Sequence, residues 1–265
     1  VDALPAVKHD ALTPAAERLA PCRRLLVLTG AGASADAGIP TFRGPGGVWR
    51  SHRPEDLASP EGFARNPELV WEWYRERRVQ VARAQPHPGQ RALALLARHF
   101  PAAEVLVATT NEDDLLERAG VAEVVHLHGS LFATRCAGAC GWEQAEDRDS
   151  ERSRRPCPGC GAAVRPGSTW YGEPLPEAEL ERVLSFRADG CLLIGSSVLV
   201  APVSNIPAEM ALAGLPVVEV NCAETPFTSV ATVSLRGQAR DVLPALVDLL
   251  TSPTVRDQRR RTAEG

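Results

Sequence analysis

The stretch Arg24-Leu25-Leu26-Val27-Leu28-Thr29-Gly30-Ala31-Gly32-Ala33-Ser34-Ala35 decides the fold. Its first half is a short apolar run with no alternation, which predicts a strand buried on both faces of a parallel sheet. Its second half fits the dinucleotide fingerprint G-x-G-x-x-G/A, where glycines admit a pyrophosphate and a helix N-terminus favours its charge. An ordinary dehydrogenase would place a second strand ending in an acidic residue about 20 residues on. That distance instead falls in the loop from Gly38 to Gly47 and the basic segment Arg50–Arg53. A nucleotide ligand fits this pattern and a simple dehydrogenase does not. Phe42-Arg43, inside the Gly/Pro-rich loop, suggest a lid over the bound ligand.

Further along, strands are expected at Val105–Ala108, Val124–His128, Cys191–Ile194 and Val217–Val220. Helices are expected at Ala15–Leu19, 54–83, Gln90–Phe100, Leu115–Ala119, Glu177–Phe186, Ile206–Ala213 and Ala239–Leu250, with Thr13-Pro14 as cap and first position of the first. Single strands alternating with helices predict an α/β fold with a doubly wound parallel sheet. The chain has 265 residues, enough for one large domain with a smaller insert. Its 29 Lys and Arg against 33 Asp and Glu leave a net charge of −4, which supplies no electrostatic reason for a nucleic-acid or membrane partner. No apolar run approaches the roughly 20 residues of a membrane helix. Val1-Asp2-Ala3-Leu4-Pro5 does not read as a secretory signal, so a cytoplasmic protein is expected.

Four of the seven cysteines (Cys136, Cys140, Cys157 and Cys160) form two turn-like pairs separated by 16 residues. Four thiolates match a tetrahedral zinc ion with no open position, hence a structural site, with an iron–sulfur centre as the alternative. Cys22, Cys191 and Cys222 sit singly in or beside apolar stretches and are expected to be small buried hydrophobes. Asn111, Asp113 and His128 fall at strand ends, where open α/β sheets bind ligands. Helix capping is the competing reading for Asn111 and Asp113, and a structural histidine for His128. His126 and His128 are expected on one side of their strand.

Taken in order, Gly30-Ala31-Gly32-Ala33-Ser34, Gly38-Ile39-Pro40-Thr41-Phe42-Arg43-Gly44, Thr109-x-Asn111-x-Asp113, Leu127-His128-Gly129 and the four cysteines resemble the sirtuin family. Gly195-Ser196-Ser197, Val220-Asn221 and Gly237-x-Ala239-x-x-Val242-Leu243-Pro244 continue the match, which covers about residues 20–250. The resemblance implies an NAD-dependent protein lysine deacylase with a Rossmann-like large domain (14–44, 86–130 and 166–252). It also implies a small helical and zinc-binding domain (45–85 and 131–165), followed by a tail at 253–265.

It further implies that Gly30, Ala31, Gly32 and Ser34 hold the NAD phosphates and ribose, with Phe42 and Arg43 in the cofactor loop. Thr110, Asn111 and Asp113 would serve the nicotinamide end, Gly195 and Ser197 the phosphate-ribose side, and Asn221 and Ala239 the adenosine end. Asn111 and His128 would be catalytic, His128 as general base on a ribose hydroxyl that takes up the acyl group. Tyr74 and Arg77 resemble the class III pair that binds an acyl carboxylate, and Ala58 leaves room for a longer chain. Succinyl-, malonyl- or glutaryl-lysine is therefore expected over acetyl-lysine, carried by a protein or peptide that lies along 167–173, with Tyr171 in contact. The enzyme is expected to act as a monomer.

The sequence departs from the family pattern in four places: Thr110 for Gln, Glu112 for an apolar residue, Leu116 for His, and the stretch Ser168-Thr169-Trp170-Tyr171 for valines and Phe. An NAD hydrolase or ADP-ribosyltransferase, or a weakly catalytic NAD- or ADP-ribose-binding module, are the competing functions.

Overall fold

The computed structural model describes residues 9–41, 52–100, 104–138, 140–147, 155–199 and 201–252. Phe42 and Arg43 lie outside them. Six parallel strands form the main sheet: β1 (Arg24–Thr29), β2 (Glu104–Thr109), β3 (Val124–His126), β7 (Gly190–Ile194), β8 (Val217–Asn221) and β9 (Val233–Arg236). Their order is β3-β2-β1-β7-β8-β9. The chain winds outward from β1 to β3, then returns to β7 on the other side of β1. The strand order therefore reverses between β1 and β7, where α/β sheets of this kind bind ligands.

β1 lacks alternation because both its faces are covered: Leu25 and Val27 enter one core, Leu26 and Leu28 the other. Each such side chain contributes about 1.5–3 kcal/mol of burial. The first core receives α1 (His9–Leu19), α6 (Pro88–His99) and α10 (Ala239–Leu250), which pack together. The second receives α8 (Glu177–Ser185) and α9 (Asn205–Leu212).

The expected helix over 54–83 is three helices, α3 (Pro54–Leu57), α4 (Pro60–Arg65) and α5 (Pro67–Arg83). Pro54, Pro60 and Pro67 each take the first helical position, where a missing N–H costs nothing. Ser59 and Asn66 cap the latter two by accepting from Gly62 N at 2.9 Å and Leu69 N at 3.1 Å. At the other end of the chain's logic, α1 begins at His9 and carries Pro14 inside it, so Thr13-Pro14 is not its start.

A second sheet, in the order β5-β4-β6, joins β4 (Gly129–Cys136), β5 (Glu143–Gln144) and β6 (Val164–Ser168) as antiparallel neighbours. Helix α5 is bound to it through buried polar groups. Arg78 donates to the carbonyls of Leu131, Asp147 and Ala133 at 2.8–3.1 Å, and Trp71 Nε1 donates to Val164 O at 3.1 Å. Cys22 and Cys191 are buried as expected, whereas Cys222, just beyond the end of β8, is exposed. Among the described residues no helix is long and apolar enough to cross a membrane.

Candidate active site

Two glycine turns meet at the reversal point. Gly30 N donates to Ile194 O at 2.9 Å and Gly32 N to Gly195 O at 2.8 Å. A Cβ on Gly30 would come within 2.8 Å of Ser196 Cα, and one on Gly32 within 2.8 Å of Gly195 Cα. Gly195 itself has φ +58 and no room, since a Cβ would lie 2.3 Å from Ala33 N. These glycines therefore let two strand ends close on each other, beyond any service to a ligand.

Asn111 locks the turn from below. Its Nδ2 donates to Gly30 O and Ser34 Oγ, both at 3.0 Å, and it is buried. Asp113, one residue before the N-cap Asp114, accepts from Leu115 N at 3.2 Å at the entrance to α7 (Leu115–Arg118) and also faces Ser34. Burial pushes its carboxyl above the usual range, against the Ser34 hydroxyl that favours the anion. The expected family histidine position, Leu116, sits in the apolar core. Polar contact between strand and helix is made instead by His126, with Nε2 2.6 Å from Glu117 and Nδ1 3.0 Å from Asn111 O. Burial works against its charged form, but Glu117 outweighs it and holds the imidazole above its ordinary pKa.

β3 ends at His126, and His128 follows with its ring Nδ1 3.1 Å from Thr110 O. A carbonyl only accepts, so Nδ1 carries the proton and Nε2 keeps its lone pair. Burial lowers its pKa, opposed by Glu112 and the Thr110 carbonyl, so the ring is an unprotonated base near neutral pH.

A cleft of about 1610 Å³ runs along these strand ends. Gly30, Ala31, Gly32, Thr110, Asn111, His128, Gly195, Ser197 and Asn221 line it, as do Ala58, Tyr74, Arg77 and Tyr171. Ser34 and Asp113 support Asn111 from behind this lining. Ala239 is buried in the first turn of α10, within the main core. Asn221 Nδ2 donates to Ser196 O at 2.8 Å and so fixes the second glycine turn.

The far wall is the segment 167–173, the end of β6 and the turn that follows it. Thr169 N donates to His128 O at 2.8 Å and Tyr171 N to Ala58 O at 2.9 Å. Arg165 grips Glu173 at 2.7 and 2.8 Å and stacks on Trp170 at 3.6 Å. Trp170 Nε1 donates to Tyr74 Oη at 2.9 Å. Burial first, and Glu112 second, push the Tyr74 phenol well up, so it stays neutral. Two contacts of this wall are not readable residue by residue, although Glu112 stands out in the sequence as a departure. Trp73 stacks under Arg77, and Glu112 pairs with Arg77 at 2.5 Å. The charge at 112, between two polar residues of a strand end, is the sequence signal of that pair.

Away from the cleft, the sulfurs of Cys136, Cys140, Cys157 and Cys160 lie within 4.8 Å of one another. The pairs 136/160 and 140/157 are 3.5 Å apart. A zinc ion bound at ~2.3 Å by four thiolates spaces them ~3.8 Å apart, so the donor set fits that ion. Gly138 N donates to Cys136 Sγ at 3.2 Å, as suits a thiolate.

A Rossmann-type sheet with a ligand cleft at its reversal point, a neutral imidazole on the wall and a tetrathiolate brace defines a nucleotide-dependent enzyme with a structural metal module. Residues 30–202 match the model of the Sir2 family. The chain belongs to that family. NAD-dependent protein deacylase 1 of Archaeoglobus fulgidus is 42% identical over 231 residues, covering 86% of this chain and 94% of that relative. A Sir2 homolog–NAD complex superposes with a TM-score of 0.82 at 39% identity, over 93% of this chain and 94% of that one. A mutant Sir2 homologue in complex with 2′-O-acetyl ADP ribose gives 0.81 at 40% identity, over 92% and 96%.

Proposed function

We propose that this chain, an NAD-dependent protein deacylase of the Sir2 family, prefers lysines bearing acidic acyl chains such as succinyl or malonyl. It would return nicotinamide and O-acyl-ADP-ribose. The observation that carries the preference is that Tyr74 and Arg77, three apart on α5, both line the cleft with His128 and Ala58. A guanidinium matches a carboxylate by two parallel hydrogen bonds, and a neutral phenol adds a donor. Tyr74 Oη accepts from Trp170 and lies beside the Ser168 hydroxyl, which together fix the phenol on the cleft wall. Ala58 leaves space where a larger side chain would shorten the pocket.

NAD, when bound, supplies an electrophilic ribose carbon and the hydroxyls that receive the acyl group. Gly30, Ala31, Gly32 and Ser34 would hold its phosphates, and Thr110, Asn111 and Asp113 the nicotinamide end. Gly195, Ser197, Asn221 and Ala239 would serve the remainder. Asn111 is oriented by Gly30 and Ser34, so its position is set before any ligand enters. His128 Nε2 takes a proton from a ribose hydroxyl, while Nδ1–H stays on Thr110 O and stabilises the imidazolium that results. The acyl-lysine peptide would lie against the 167–173 segment and touch Tyr171. Zinc would act only as a brace. Its four thiolates require reduced cysteines, which supports a reducing compartment such as the cytoplasm.

Mass spectrometry of products from NAD with succinyl- and acetyl-lysine peptides tests the activity: O-succinyl-ADP-ribose is expected only with succinyl peptide present. Nicotinamide release without peptide would favour an NAD hydrolase. Arg77→Met is expected to lower kcat/KM on succinyl peptide roughly 10–100-fold, the worth of a charge-assisted pair. An equal loss on acetyl peptide would make Arg77 structural only.

A further inference from the structure

Arg77 does not wait in the cleft as an unmatched cation. Its Nη1 lies 2.5 Å from Glu112 Oε2, with the two side chains only 11% and 8% exposed. The guanidinium stacks over Trp73 at 4.7 Å and lies 5.5 Å from the Tyr74 ring, which limits its freedom to swing away. Glu112 is equally confined. Its carbonyl accepts from Leu131 N at 2.8 Å, and its chain neighbour Asn111 is bonded to Gly30 and Ser34. Rotation of the Glu112 side chain can part the two charges without moving the strand end.

Ala58, Tyr74, Arg77, Glu112 and His128 all border one cleft. An acetyl group entering it leaves the Arg77–Glu112 pair as it is. A chain ending in a carboxylate brings a second anion to a guanidinium already neutralised. Burial makes that conflict stronger than on a surface, because little water is present to screen it. The acidic chain must either displace Glu112 or share Arg77 with it.

We infer that Glu112 is a specificity-determining residue of the acyl pocket: a built-in counter-ion of Arg77 that holds the preference for acidic over neutral acyl chains below what the Tyr74–Arg77 pair alone would give. This rests on the reading of Arg77 as the receptor of the acyl carboxylate. It also assigns a purpose to the departure at 112, which places a carboxylate where the family carries an apolar residue.

The test compares wild type, Glu112→Gln, Arg77→Met and the double variant on succinyl- and acetyl-lysine peptides. Glutamine keeps the shape and a carbonyl oxygen to face the guanidinium, so it removes charge alone. The succinyl-to-acetyl ratio of kcat/KM is expected to rise about tenfold or more in Glu112→Gln, the scale of a close like-charge contact removed. In the Arg77→Met background the same change should leave the ratio unmoved, since the contest is for that guanidinium. Calorimetric binding of both peptides without NAD should show the same shift in affinity ratio. Glu112→Val serves as a second variant if the amide is poorly tolerated. A ratio unchanged or lowered in Glu112→Gln, with Arg77→Met still selective against succinyl, overturns the role of Glu112 alone. An Arg77→Met variant that loses both substrates equally overturns the acyl-carboxylate reading and this inference with it.

Discussion

The His128 ring and the Thr110 main chain are joined by an Nδ1–H bond of 3.1 Å to the carbonyl oxygen, and this single contact sets which imidazole nitrogen is basic. Replacing His128 by Ala removes the base while leaving the glycine turns and Asn111 in place. Turnover is expected to fall at least 10²-fold, the usual worth of a positioned base. NAD affinity, measured by calorimetry, should change little. Full activity in that variant would remove His128 from the mechanism.

The same base predicts a pH profile. Burial lowers the His128 pKa and Glu112 raises it, with burial the larger effect. The acid limb of kcat/KM on acetyl peptide should therefore fall below the ordinary imidazole value of about 6.5. In Glu112→Gln the opposing influence is gone, and the limb should move to still lower pH. A limb that moves upward would mean that Glu112 does not act on this ring.

His87 offers a stability switch outside the chemistry. Its Nδ1 accepts from Gly89 N at 3.1 Å and Gln90 N at 3.3 Å, capping α6, while Nε2–H donates to Ala33 O at 2.7 Å beside the glycine turn. Burial depresses its pKa. The unfolded chain thus binds the proton more readily, so the cap's contribution is present above about pH 6.5 and is lost as pH falls through the folded value. Asn caps without titrating. The stability difference between wild type and His87→Asn, from urea melts, should shift in favour of the variant between pH 7.5 and 5.5. A pH-independent difference would show that the ring does not charge in that window.

Gly195 carries one of the tightest backbone approaches in the cleft. Gly195→Ala places a Cβ 2.3 Å from Ala33 N at φ +58. Strain at such a position costs about 2 kcal/mol or more, and a domain of this size loses roughly 2–4 °C per kcal/mol. Melting temperature and NAD affinity should fall together. Loss of neither would mean that the two turns are looser than their hydrogen bonds imply.

Zinc removal should act on the brace alone. One equivalent of zinc per chain is expected on chelator release with a colorimetric indicator, and none from Cys157→Ser. Cys136 and Cys157 belong to the apolar cluster that also holds Trp71, Tyr74 and Trp170. Metal loss should therefore weaken peptide KM through Tyr74 and Trp170 while ADP-ribose binding persists. A red-brown iron–sulfur absorbance instead of zinc would overturn the metal assignment.

Much of the main sheet was legible because its strands are buried on both faces. Continuous apolar runs such as Leu25–Leu28 and Cys191–Ile194 fit the inner strands of an α/β sheet. The glycine turn and the cysteine pairs were legible for a different reason, since few backbones demand those residues at those spacings. What escaped was set by partners far away in the chain. β9 reads as Val-Ser-Leu-Arg, half polar, because it closes the edge of the sheet beside β8. β6 contains Pro166 and Gly167, which argue against a strand, yet pairs antiparallel with β4 around a register shift. Glu219, in the middle of β8, is fully buried but takes hydrogen bonds from Thr225, Thr228 and Ser234 at 2.5–2.8 Å, an arrangement no local pattern announces. In the cleft, Arg77 and Glu112 are 35 positions apart, and only the fold could reveal that they are a pair.

His128 is gripped by main chain on two sides: its ring by the carbonyl of residue 110 and its own carbonyl by the amide of residue 169. Neither grip depends on which side chain stands at 110 or 169. Those two sites can consequently change in identity without unseating the imidazole, and a threonine stands at both.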